Sequence, residues 1–158
     1  MRKRIIPQGL LAAPQAEERH WLDLDQLAEV ELTSEDAAHP IESALLPGKG
    51  TGWRAQQPGT QIIRLLFHEP QKITHIRLMF LEQERARTQE FVLSWSAGPG
   101  VSARPIVRQQ YNFSPPSAER ETEDYTVDLD GLTMLELAII PDISGGDARA
   151  SLAQLRLA

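Results

Sequence analysis

The sequence predicts an all-β fold, an antiparallel jelly-roll β-sandwich with one short helix, and three observations predict it. Apolar residues recur at every second position in short runs from about residue 28 to the C-terminus. Turns rich in Gly, Pro and Ser separate those runs. One short segment carries helical spacing, so the regular β–α alternation of a parallel sheet is missing.

Residues 28–33 alternate, with Val30 and Leu32 on one face and Glu29, Glu31 and Thr33 on the other, as in a half-buried strand. Pro40 suits a first helical position, and Ile41, Ala44 and Leu45 share a face. This predicts a helix of about two turns over 40–46, stopped by Pro47 and Gly48. The glycine-rich stretch 49–52 then leads into Trp53. Residues 62–67 read as a mostly apolar strand and 68–71 as its turn. In the next strand, 72–81, Ile76, Leu78 and Phe80 share a face. Phe91, Leu93 and Trp95 also share a face, which places Trp95 in the core. Strands over 106–113, 125–129, 132–140 and 152–157 complete the set, and the acidic run 119–124 reads as solvated loop.

The chain has 158 residues and 17.7 kDa, enough for one well-cored domain. We read residues 1–21 as an N-terminal arm and 22–158 as a single sandwich domain. Leu, Ile, Val and Phe make up about a quarter of the chain, above the level of disordered sequences. The absence of cysteine excludes disulfides, thiolate metal sites and a cysteine nucleophile. The net charge is −6, and the basic residues Arg2, Lys3 and Arg4 leave an even more acidic body. Such a body repels phosphate backbones at long range, so nucleic acid is a disfavoured partner. No apolar run approaches the roughly 18 residues of a membrane span, so no membrane partner is expected. Pro7 and Gly9 break the apolar start too early for a secretory signal, which makes a cytoplasmic location the expectation.

The sequence holds no G-x-S-x-G, phosphate-loop or H-E-x-x-H motif. None of the four histidines has another histidine two to five residues away, so the usual zinc spacings are missing. No catalytic residue, metal ligand or cofactor is therefore assigned, and the chain is not expected to be an enzyme. Trp53 reads as a core plug, with a sugar-stacking platform as the alternative. Arg54, Arg85 and Arg87 offer planar forks of donors suited to hydroxyls, carboxylates or phosphates. Tyr111 flanks a loop, and His39 sits just ahead of the helix. These five residues form the candidate ligand-binding set, with Arg54 and either Arg85 or Arg87 facing one shared concavity near Tyr111. The internal alternatives are a loop-bracing salt bridge for Arg54, an exposed charged turn for Arg85 and Arg87, and a helix-capping role for His39.

The order of the pieces resembles the galactose-binding-like family, also known as discoidin or coagulation-factor-type C domains. Its carriers are Ser34, the stretch 42–46 (Glu-Ser-Ala-Leu-Leu), Thr51-Gly-Trp53, the paired runs 62–67 and 73–78, the stretch 91–96, and the closing stretch 151–157. Within that superfamily the middle looks closest to the N-terminal domain of the X-ray-repair scaffold protein, through 34–39, 42–46, 53–55 and 96–98. The family resemblance implies a non-catalytic recognition module that binds carbohydrate or another small polar ligand through loops at one end of the sandwich. The repair-scaffold resemblance implies the alternative, an adaptor for a protein partner or a nucleic-acid end. Many sugar-binding members hold a structural calcium between the loop after the short helix and a glutamate in the closing strand. Here Lys49 stands in that loop and Gln154 in that strand, so the calcium site is expected to be absent or degraded.

Overall fold

Among the residues described by the computed structural model (Lys3, 20–48 and 50–158), the order is α1 (Leu24–Leu27), β1 (Ala28–Leu32), α2 (Glu42–Leu45), β2 (Trp53–Pro58), β3 (Gln61–Leu81), β4 (Arg87–Ser96), β5 (Arg104–Phe113), β6 (Arg120–Ile140), β7 (Arg149–Leu152) and β8 (Gln154–Leu157). Lys49 and all of the expected arm except Lys3, His20 and Trp21 lie outside the described residues.

Two 21-residue strands, β3 and β6, build both layers. The first half of β3 pairs antiparallel with β1 and with the second half of β6. Next to β6 come β4 and then β5, completing the first layer in the order β1-β3-β6-β4-β5. Beyond register shifts between Leu66 and His75, the second half of β3 pairs with β8 and the first half of β6. The expected break at 68–71 is thus a bend inside one continuous strand, because the exposed residues 68–70 loosen the ladder without ending it. The runs 125–129 and 132–140 likewise join as β6, which already starts at Arg120.

The alternation seen in sequence is the inward face. Ile63, Leu65, Ile76, Leu78 and Phe80 of β3 are essentially fully buried, as are Phe91 and Leu93 of β4. The Phe80 and Phe91 rings meet across the layers with centroids 5.2 Å apart, a separation favourable for tilted aromatic pairs. Trp95 departs from the expectation only in part. It keeps the inward register, opposite Leu135 of β6, and packs against the core, but near the end of β4 it is only half-buried, with its ring centre 5.8 Å from the Arg104 guanidinium.

The helix α2 is a single turn rather than two, yet it buries Ser43, Ala44 and Leu45 as its spacing requires. Arg156 of β8 is buried beneath it, and its Nη1 donates to the carbonyl oxygens of Ala44 at 2.8 Å and Leu155 at 2.9 Å. The short ribbon β2–β7 closes one end of the sandwich, with Trp53 opposite Leu152. Gly52 has φ +106°, and a Cβ there would lie 2.6 Å from the Leu152 carbonyl oxygen, so the ribbon starts where only glycine fits.

Candidate functional site

The period of two divides the β2–β7 ribbon into a core face and a solvent face. Trp53, Ala55, Ala150 and Leu152 point inward and are buried. Arg54, Arg149 and Ser151 therefore share the outward face, with Arg54 opposite Ser151 and Arg149 opposite Pro58. They floor an open cleft of about 340 Å³, which His39 and Thr51 border on one side and residues 82–84, after β3, on the other. The cleft continues over Arg54 and Arg149 into a lobe of about 450 Å³ that reaches Arg85 and Asp147.

Both walls are tied down. The Asp36 amide donates to the Arg54 carbonyl at 2.8 Å and the Arg54 amide to the His39 carbonyl at 3.2 Å, which stitches the His39 loop to β2. The Ala38 amide donates to the Asp36 carboxylate at 3.0 Å and, with His39 close by, holds that carboxyl below its usual range despite some opposing burial. On the opposite wall, Arg87 Nε donates to Glu82 Oε1 at 2.6 Å, and Arg87 Nη1 donates to the Pro141 carbonyl at 2.7 Å and to Gln89 Oε1 at 3.2 Å. Burial raises the Glu82 carboxyl, but the bonds from Arg87 and from the Glu84 amide outweigh it, leaving the group lowered. Arg85 Nη1 bonds Asp147 Oδ1 at 2.9 Å, and this bond is the main reason the Asp147 carboxyl is lowered.

The structure brings His39, Arg54 and Arg85 to this one cleft and places Arg87 and Tyr111 elsewhere. The Arg87 side chain is 1% exposed and stacks 4.7 Å from the centre of the Phe113 ring, so it braces the wall from inside instead of facing a ligand. Tyr111 packs edge-on against Phe113 with centroids 4.9 Å apart, and its Oη donates to the Arg120 carbonyl at 2.9 Å. Trp53, 1% exposed, is the core plug, and its Nε1 donates to the Ser34 carbonyl at 3.1 Å. A closing strand over 152–157 leaves out Arg149, although the outward–inward alternation of 149–152 (Arg-Ala-Ser-Leu) marks it in sequence.

The charges at the cleft divide into bound and unbound. Glu82 is paired with Arg87, and Asp147 with Arg85. The side chains of Arg54 and Arg149 make no hydrogen bond or ion pair with the described residues, although Asp36 and Asp147 lie within the field of Arg149. Elsewhere, Glu121 belies its expected place in a solvated run. It is 1% exposed on the inward face of β6, where burial first and the charge of Glu123 second raise its carboxyl to about 7.

The residues near α2 do not fit a calcium ion. Gln154 is uncharged, and the Ala44 carbonyl already accepts from the buried cationic Arg156. Among the described residues, no group of three or more His, Asp or Glu side chains could hold a metal.

No family model matches the chain, and no curated protein matches it in sequence. Solved structures do match its fold. The family 32 carbohydrate-binding module (CBM32) of Clostridium perfringens NanJ, in complex with galactose, is 14% identical with a TM-score of 0.61, over 87% of this chain and 96% of that one. The CBM32 of AlyQ, in complex with 4,5-unsaturated mannuronic acid, is 14% identical with a TM-score of 0.62, over 89% and 98%. A CBM32 of Clostridium perfringens GH89, in complex with GalNAc-β-1,3-galactose, is 18% identical with a TM-score of 0.61, over 87% and 99%. The fold is therefore the galactose-binding-like sandwich. The repair-scaffold resemblance rests on the sequence stretches alone.

Proposed function

We propose that this chain is a non-catalytic carbohydrate-binding module whose ligand occupies the cleft over the β2–β7 ribbon. The observation that carries the reading is the convergence of His39, Arg54 and Arg149 with the hydroxyls of Thr51 and Ser151 on one open cleft of about 340 Å³. These groups offer the donors and acceptors that sugar hydroxyls need, on strand and loop positions fixed by backbone bonds. The sugar complexes of the structural neighbours support the same ligand class.

The electrostatics support binding without hydrolysis. A glycosidase needs a carboxyl kept protonated as general acid beside a second carboxylate. Glu82 and Asp147 are both lowered, while the raised Glu121 is sealed inside the sandwich.

A glycan array run beside a DNA-end binding assay tests the reading. Binding to one or more glycans, weakened by about tenfold or more in Arg54→Ala with unchanged melting, is the expected result. DNA-end binding without glycan binding would replace this reading with an adaptor role.

A further inference from the structure

Resting on that carbohydrate reading, we propose that the cleft selects saccharides that carry a carboxylate, a uronic acid above all, by presenting Arg54 and Arg149 as a pair of guanidinium groups whose donors are unbonded. Neither side chain has a hydrogen-bond or ion-pair partner among the described residues, and both line the two connected lobes. They project from adjacent antiparallel strands on the same face: Arg54 stands opposite Ser151, which is two residues along β7 from Arg149. The other cleft arginine, Arg85, is occupied by Asp147, and the Glu82 carboxylate is occupied by Arg87. What remains is two guanidinium groups with unbonded donors, beside the exposed carboxylate of Glu84 and, around Arg149, the fields of Asp36 and Asp147.

The aromatic content of the cleft points the same way. Neutral sugars gain much of their affinity by laying an apolar face on an aromatic ring. Among the described residues lining the cleft there is no exposed Trp, Tyr or Phe, and Trp53 is 1% exposed. Affinity must then come from hydrogen bonds, and charge-assisted bonds from a guanidinium fork to a carboxylate are about twice as strong as neutral ones. A uronate places its carboxylate on the ring carbon that carries a hydroxymethyl group in the neutral sugar. One ligand can thus engage the arginines with its carboxylate while its ring hydroxyls reach Ser151, Thr51 or His39.

The test compares digalacturonic and dimannuronic acids with their neutral counterparts galactobiose and mannobiose, by calorimetry on the full chain. At least one acidic disaccharide is expected to bind about tenfold or more tightly than its neutral counterpart. Arg54→Gln and Arg149→Gln are each expected to weaken the acidic ligand, and the double variant to bind the two classes alike. Both positions lie on the surface ribbon, so circular dichroism and melting verify that the variants remain folded. Equal binding of acidic and neutral sugars by the unaltered chain would overturn the inference and leave the carbohydrate reading standing. Failure to bind either class here and any glycan on the array would remove both.

Discussion

Replacing Glu121 by Gln tests the account of the interior. Its Oε1 accepts from Gln89 Nε2 at 3.1 Å, and its Oε2 has no partner. Burial, then the nearby Glu123, raises this carboxyl from 4.5 to about 7 in the folded chain. The folded state therefore keeps a proton that the unfolded chain has released, and stability falls as pH rises between these two values. The contribution is fully present below 4.5 and lost once pH passes 7. A rise of this size corresponds to on the order of 3 kcal/mol. Gln is neutral throughout, keeps an acceptor for Gln89, and sets an amide donor beside Glu123. Urea unfolding followed by circular dichroism at pH 5, 6, 7 and 8 should show the wild type losing stability relative to Glu121→Gln by about 2–3 kcal/mol across the series. A difference constant to within about 0.5 kcal/mol would refute the argument, because it would mean that the carboxyl is solvated or ionised throughout.

Arg87→Gln leaves Glu82 and the Pro141 carbonyl without their buried partner and should cost about 3–5 kcal/mol in urea unfolding. Phe91→Ala should cost about 3–5 kcal/mol, and the half-buried Trp95→Ala distinctly less; equal costs would show that Trp95 is packed as fully as Phe91. Calcium should leave the melting temperature unchanged, since the buried Arg156 guanidinium takes the Ala44 carbonyl; a rise reversed by a chelator would contradict that placement.

Much of the fold was legible because burial in a sandwich follows the side-chain period of two. Ile76, Leu78, Phe80, Phe91 and Leu93 carry that period in sequence and line the core in space. Trp95 carries it too and keeps the register opposite Leu135, yet it is only half-buried with its ring facing the Arg104 guanidinium, which no local pattern announces. Arg54 was legible as a candidate because it follows Trp53, a core plug, at the end of the glycine-rich stretch 49–52; that β2 turns it outward is known only from the structure. The fates of Arg85 and Arg87 were not. They lie two residues apart in one charged turn, and only the depth of β4 decides that Arg87 is buried on Glu82 while Arg85 stays at the surface. Glu121 was hidden for the same reason, since a run of acidic residues reads as solvated until its alternation is set against a packed layer.

The chain as a whole is acidic, yet the cleft floor holds two guanidiniums with unbonded donors, and this contrast separates the rates from the affinity of an acidic ligand. At long range a net charge of −6 repels an anionic saccharide, and salt screens that repulsion. At contact the guanidinium–carboxylate bonds hold the ligand, and salt weakens them. Raising NaCl from low to physiological concentration should therefore speed dissociation of an oligouronate while its association rate stays level or rises. Surface plasmon resonance reads both rates. An association rate that falls steeply with salt would show that attraction by the cleft outweighs the field of the acidic body.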